Sequence, residues 1–236
     1  MTDWRDLEER VSRSVRSSRR PVAVAFLESV PGNVPKFTGH EPSGCSFWRL
    51  AAEGRTFYTV PADHFNCAVG SYTHSIDLSP ERASETAQTL ELMFSVRYIR
   101  PEEVAEIPRL SKTPAAVVYS PLAEAPVAPS VVLFACRPGS AMLLQEAMRR
   151  AGKAGALPPL GRPTCMALPA SLANGAITSL GCIGNRVYTG LTDDDLYVVI
   201  PGADLSEVAD ALEVVASANA ALSTYAQGRY AQLSTA

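Results

Sequence analysis

The sequence predicts an α+β fold of two pseudo-symmetric halves, with helices packed on a mixed β-sheet. Short apolar runs alternate with amphipathic segments along the 236 residues, which is typical of a sheet covered by helices. The order of elements and cysteines in residues 20–120 returns in residues 121–222, as an internal duplication would leave it. We therefore expect a single compact domain, residues 1–236, with flanking terminal helices and with strand pairing across a pseudo-two-fold axis.

Composition and charge limit the classes of function. Hydrophobic residues make up 47% of the chain and charged residues 19%, so it should fold. A net charge of −3 gives no reason to expect nucleic-acid binding, and no apolar run approaches the roughly 20 residues that span a bilayer. No secretory signal is recognisable, so we expect a cytoplasmic protein with reduced cysteines. The expected partner is a small molecule or a redox partner, and the sequence leaves a homo-oligomer open.

An amphipathic helix precedes the first half. Trp4, Leu7, Val11 and Val15 stand at helical spacing, which favours a helix docked on the core. Ser79 is a good helix cap, and the proline after it suits the first turn. The remaining predictions for this half are strands at 22–27, 57–60 and 115–119, helices at 47–53 and 80–97, a short helix plus a turn at 101–110, and a loop that holds His64, Cys67 and Gly70.

The second half repeats this order with one added helix. Its apolar runs predict strands at 131–135, 177–180, 187–189 and 196–200. Pro138 opens a helix at 139–152, and a short helix at 168–173 ends at Gly175. Two alanine-rich helices, 205–218 and 220–233, complete the prediction.

Four of the five cysteines occupy matching places in the two halves. Cys45 and Cys165 each precede a short helix, and Cys67 and Cys182 each stand beside glycines. A helix N-terminus favours the thiolate, the form that binds metal, and four thiolates can hold a [4Fe–4S] cluster or a tetrahedral zinc. The alternative is that they are buried, inert core residues. Cys136 ends an apolar strand and is predicted to be structural.

These cysteine segments resemble a known family. The motifs are Gly44-Cys45-Ser46-Phe47-Trp48-Arg49-Leu50-Ala51-Ala52-Glu53-Gly54, then Asp63-His64-Phe65-Asn66-Cys67-Ala68-Val69-Gly70, and Leu180-Gly181-Cys182-Ile183-Gly184-Asn185-Arg186. They are similar to the domain of unknown function 169 family of archaea and bacteria, over about residues 20–222. The resemblance implies cysteines at the four positions but no activity, because the family is largely uncharacterised.

Four polar residues near these motifs are candidates for binding a substrate or anion. Asn185 and Arg186 follow the last cysteine motif and could bind a carboxylate or phosphate, although Arg186 could instead pair with Asp193, Asp194 or Asp195. His64 is an ordinary loop residue, a metal ligand together with Cys67, or a proton donor to a substrate. Arg49 either pairs with Glu53 on the helix surface or faces the site.

The leading hypothesis is an iron–sulfur protein with a [4Fe–4S] cluster held by Cys45, Cys67, Cys165 and Cys182. The rivals are a structural or regulatory zinc protein with the same ligands, a thiol enzyme with His64 as base, and a small-ligand binding protein with inert cysteines. No phosphate-binding loop, dinucleotide fingerprint, hydrolase nucleophile elbow or zinc-protease motif is present. The sequence therefore assigns no reaction.

Overall fold

The computed structural model describes residues 2–234 and shows an α+β fold built on one six-stranded sheet. The strand order is β2-β3-β1-β4-β6-β5, and every pair of neighbouring strands is antiparallel. The parallel pairings are isolated bridges, such as Lys36 to Tyr58 and Leu160 to Ser179, which lie beside the two edge strands. The strands are β1 (Val22–Leu27), β2 (Phe57–Thr59), β3 (Ala116–Pro121), β4 (Val131–Cys136), β5 (Ile177–Ser179) and β6 (Leu196–Pro201).

The helices agree with the predicted order in most places. Asp3 caps the first helix and Ser79 caps the fourth, each through its side chain, as expected for residues that satisfy free backbone amides. The helices are α1 (Trp4–Ser14), α2 (Ser46–Ala52), α3 (Ala68–Thr73), α4 (Pro80–Ser95), α5 (Pro138–Arg150), α6 (Ala167–Asn174), α7 (Ile183–Thr189) and α8 (Leu205–Ser234).

The strand order is symmetric about the central β1–β4 pair. Apart from α4 in the first half and α5 in the second, the order of elements is β1, α2, β2, α3, β3 and then β4, α6, β5, α7, β6. A short 3-10 helix follows the last strand of each half, Leu122–Glu124 and Gly202–Asp204. The equivalent strands occupy equivalent places on either side of the centre, which is the arrangement that an internal duplication would produce.

The two faces of the sheet carry different helices and separate cores. Along β4 the side chains alternate: Val131, Leu133 and Ala135 join one cluster, while Phe134 and Cys136 join the other. The first cluster includes residues of α2 and α6, and the second includes residues of α1, α5 and α8. Because successive strand residues point to opposite faces, Cys136 faces away from the side that carries α2 and α6. It is fully buried, in agreement with its predicted structural role.

Three local predictions were wrong. Residues 187–189 are the end of α7, because Cys182 caps that helix and Gly190, in the left-handed conformation, ends it. The loop predicted around His64 and Cys67 contains a 3-10 helix, Pro61–His64, and then α3. The two C-terminal helices form one continuous helix, α8, since the alanine-rich sequence offers no proline to end it.

Candidate functional site

Four cysteines from four segments line one cavity of about 330 Å³. These are the predicted residues Cys45, Cys67, Cys165 and Cys182. The cavity lies on the face of the sheet that carries α2 and α6, because Cys45 and Cys165 belong to the core cluster of that face. Cys136 is not among the lining residues.

Contacts between the two halves bring the cysteine segments together. Helix α3, which follows Cys67, contacts the short turn Thr164–Met166 that contains Cys165. Helix α2, which follows Cys45, contacts α7, which follows Cys182. Each contact therefore joins a cysteine segment of one half to a cysteine segment of the other.

Cys67 and Cys182 cap their helices through sulfur. The Gly70 amide donates to Cys67 Sγ at 3.2 Å, and the Asn185 amide donates to Cys182 Sγ at 3.4 Å. Asn185 is therefore the counterpart of Gly70, three residues after its cysteine. Position 70, three residues after Cys67, needs a glycine, because a Cβ on Gly70 would lie 2.9 Å from Cys67 Sγ.

Neighbouring polar groups hold the other two cysteine segments. The Ser43 hydroxyl lies 3.0 Å from Cys45 Sγ. The Thr164 hydroxyl accepts from the Cys182 amide at 2.6 Å, so the residue beside Cys165 also fixes the start of α7. Cys45, Cys67 and Cys182 are thus each held by groups of their own half.

Burial keeps three of the thiols protonated at neutral pH. It raises the pKa of Cys45 to about 12 and raises that of Cys165 well above its usual value. Cys67 is raised by burial too, although the amides of Gly44, Gly70 and Val69 oppose the shift. Beyond burial, the charges of the other three cysteines raise the pKa of Cys165 further, which reflects how near the four sulfurs are to one another.

The thiols share the cavity without forming a compact ion site. Within residues 2–234, no group of three or more histidine, cysteine, aspartate or glutamate side chains is arranged to hold a metal ion. None of the described cysteines forms a disulfide.

Asn185 is the one predicted polar candidate that lines the cavity. Its side chain is buried, and neither amide atom has a hydrogen-bond partner among the described residues. It is still close enough to Cys45 to oppose the rise in that thiol's pKa. An unpaired buried amide costs free energy, so the group is set up to bind something in the cavity.

Arg186 and Arg49 are held in contacts outside the cavity. Arg186 donates to the carbonyl oxygens of Thr192 and Leu180, and its guanidinium lies 3.6 Å from Asp193. Arg49 pairs with Glu53 at 2.9 Å and with Glu41 at 3.5 Å. For both residues the structure agrees with the pairing alternative and gives no contact that would support anion binding.

His64 is buried behind the cavity. Its Nε2 lies 2.9 Å from the Thr59 hydroxyl, and its ring packs against Phe47 and His74. Burial lowers its pKa to about 3, with the charge of His74 as a second cause. A neutral ring that does not line the cavity is poorly placed to act as the base of a thiol enzyme.

The outer wall of the cavity was not among the sequence predictions. That wall comes from α4, from the segment that follows it, and from Arg162. Thr86, Leu90 and Met93 all line the cavity, and their helical spacing is the signal that could have identified this face.

The chain belongs to the domain of unknown function 169 family, since the family model described as "Uncharacterised ArCR, COG2043" matches residues 10–211. It is also similar to "Uncharacterized protein MJ0308" of the archaeon Methanocaldococcus jannaschii. The two are 25% identical over 182 residues, which cover 73% of this chain and 77% of the relative. No solved structure gave a significant match. In the described residues, no helix has the length and hydrophobicity that crossing a membrane requires.

Proposed function

We propose that this chain is a cytoplasmic iron–sulfur protein in which Cys45, Cys67, Cys165 and Cys182 hold a [4Fe–4S] cluster. One observation carries the proposal: four cysteines, distant in sequence and equivalent in pairs, line the same cavity while the fifth lies on the opposite face of the sheet. Core cysteines placed only for packing have no reason to converge on an open space.

The chemistry of the four donor side chains suits such a group. Four cysteine thiolates are the usual ligand set of a [4Fe–4S] cluster. Backbone amides point at two of the sulfurs, from Gly70 to Cys67 and from Asn185 to Cys182, and such donors stabilise negative charge on sulfur. The unpaired amide of Asn185 offers a further donor.

The chain's own residues would position, shield and tune the bound cluster. When bound, the group supplies one-electron transfer or a site for a small substrate. Each half would supply two of the four sulfurs, and most of the cavity lining is apolar. The thiols must lose protons to become ligands, so binding is coupled to proton release.

Zinc is the second candidate because the donor set is the same, and four cysteines make a common structural zinc site. A cavity of about 330 Å³ favours the larger group, since zinc draws four sulfurs to about 2.3 Å. A metal-free thiol enzyme has less support. Its nucleophile would have to be a thiol such as Cys45, whose pKa burial raises to about 12, with no histidine on the cavity wall.

The test is a set of five cysteine-to-serine variants, purified without oxygen. Each of C45S, C67S, C165S and C182S removes one proposed ligand. C136S is the matched control, because Cys136 is buried outside the cavity. Iron, acid-labile sulfide, zinc and the visible absorbance spectrum are measured for each protein and for the wild type.

We expect a brown wild type and a brown C136S variant, each with about four irons and four sulfides per chain. Each of the other four variants should lose most of its iron. Roughly one zinc per chain in the wild type, lost in the same four variants, would show that the site holds zinc and not a cluster. Protein without either metal after reconstitution with iron and sulfide would overturn the proposal.

A further inference from the structure

The outer wall of the cavity is an insertion that breaks the pseudo-symmetry. Residues 74–115, between α3 and β3, include α4 and the 3-10 helix Pro101–Glu106, whereas the matching connection in the second half is only residues 190–195. This insertion supplies eight of the lining residues: Thr86, Thr89, Leu90, Met93, Tyr98, Ile99, Val104 and Ile107. The first half has therefore gained a cover over the cysteine cavity.

The inner face of α4 is only partly packed. Thr86, Leu90 and Met93 stand one helical turn apart and face the cavity, yet all three are only half-buried and no residue of α4 is fully buried. Apolar side chains on a helix normally gain their stability from burial. A ligand in the cavity would cover them.

Arg162 is the only charged residue among those that line the cavity. It is exposed, and its guanidinium lies over the Tyr98 ring at 4.6 Å from the centroid. Within residues 2–234 this guanidinium has no hydrogen bond or ion pair. It is near enough to Glu103 to help lower the pKa of that carboxyl group, but Glu103 is itself paired with Arg100. The stacking orients the planar fork at the cavity mouth and leaves its N–H groups available.

We infer that the cavity binds a small organic acid: a monocarboxylate whose carboxylate pairs with Arg162 and whose apolar body lies between the cysteines and α4. A single guanidinium fork matches one carboxylate in charge and geometry. The apolar walls, which include Val69, Leu90, Met93 and Ile107, suit a hydrocarbon or aromatic body. A phosphate ester carries more charge and usually needs further donors.

This site rests on the cavity and Arg162 and does not depend on the cluster. Binding would nonetheless bring the body of the acid next to the four cysteines, because Arg162 and these cysteines line the same cavity. A reaction at a bound cluster would then act on an organic acid, and a metal-free protein would still bind it.

The test compares two probes with the same body, 3-phenylpropionate and its neutral amide 3-phenylpropionamide, with phenyl phosphate as a third. Calorimetric titration is done on the full chain, both as isolated without oxygen and after metal removal. R162Q removes the charge and L90W fills the cavity. R150Q is the control, because Arg150 is exposed on α5, across the sheet from the cysteines.

We expect millimolar or tighter binding of the carboxylate and at least tenfold weaker binding of the amide. R162Q should weaken binding of the carboxylate alone, by about tenfold or more. L90W should abolish binding of every probe with an unchanged melting temperature. R150Q should bind as the wild type does. Equal binding of acid and amide, tighter binding of phenyl phosphate, or no binding of any probe would overturn the inference. Binding of the acid by metal-free protein would uphold this inference even if the cluster proposal failed. If iron-loaded protein does not bind the acid, this inference is overturned while the cluster proposal stands.

Discussion

Acid should destabilise this fold through two buried histidines. His64 and His74 are each 2% exposed, and their rings lie 5.4 Å apart between centroids. Burial lowers the pKa of His64 from 6.5 to about 3 and that of His74 from 6.5 to about 4. Both rings are therefore neutral in the folded chain at any pH above about 4, whereas they charge near pH 6.5 once unfolded.

The sign and the size of the effect follow from linkage. Between these pKa values the unfolded chain binds more protons, so the free energy of unfolding is greatest above pH 6.5 and falls as the pH is lowered toward 4. Each proton costs about 1.4 kcal/mol per pH unit. At pH 5 each histidine therefore removes about 2 kcal/mol, and the pair removes about 4 kcal/mol, a large part of the 5–15 kcal/mol that typically stabilises a domain.

The assay is urea unfolding at a series of pH values from 7.5 to 5. The doubly substituted H64Q/H74Q chain should have lower stability at pH 7.5 but a much flatter pH dependence. H40Q is the control, because His40 is exposed, and its pH dependence should match the wild type. A wild-type free energy of unfolding that stays constant from pH 7.5 to 5, or a double variant with the full slope, would refute the reasoning.

Three further predictions follow from packing and from the thiols. L168A should lower the free energy of unfolding by about 2–5 kcal/mol in urea unfolding, because Leu168 is fully buried in the core under the cavity; a loss below 1 kcal/mol would contradict this. G202A should be strongly destabilising by the same assay, because its Cβ would lie 2.0 Å from the Pro129 carbonyl oxygen. The control is G139A in α5, whose Cβ would have nothing within 4 Å, and its free energy of unfolding should be unchanged or rise by up to about 1 kcal/mol. Reconstitution with iron and sulfide should weaken as the pH falls from 8 to 6, because burial raises the pKa of Cys45 to about 12 and protons compete with the metal; uptake that rises with acidity would contradict the assignment of these thiols as ligands.

Much of the fold could be predicted because its signals are local. The continuous apolar run of β4 and the spacing of Leu7 and Val11 on α1 predict burial directly from the sequence. Both are confirmed, because every residue of β4 is buried and so are Leu7 and Val11. Residues 187–189 misled because Val187, Tyr188 and Thr189 have high strand propensity, while a cap from Cys182 and the stop at Gly190 outweigh it.

The candidate site was predicted only in part. Repetition between the halves grouped the four cysteines correctly around one space, and the position of Cys136 at the end of a buried strand set it apart. The inner face of α4 lies outside the cysteine segments in sequence, and only tertiary packing brings it to the cavity. Arg162 stands three residues before Cys165, but no local pattern marks it as a residue of the cavity wall.

The proposed function depends most directly on iron being bound among the four sulfurs. Crystals of the wild type, grown without oxygen and measured at the iron absorption edge, test this directly. We predict anomalous density inside the cavity, in contact with the sulfur atoms of Cys45, Cys67, Cys165 and Cys182. Crystals of iron-reconstituted protein with no iron density there, or with iron bound only elsewhere on the chain, would contradict the central claim.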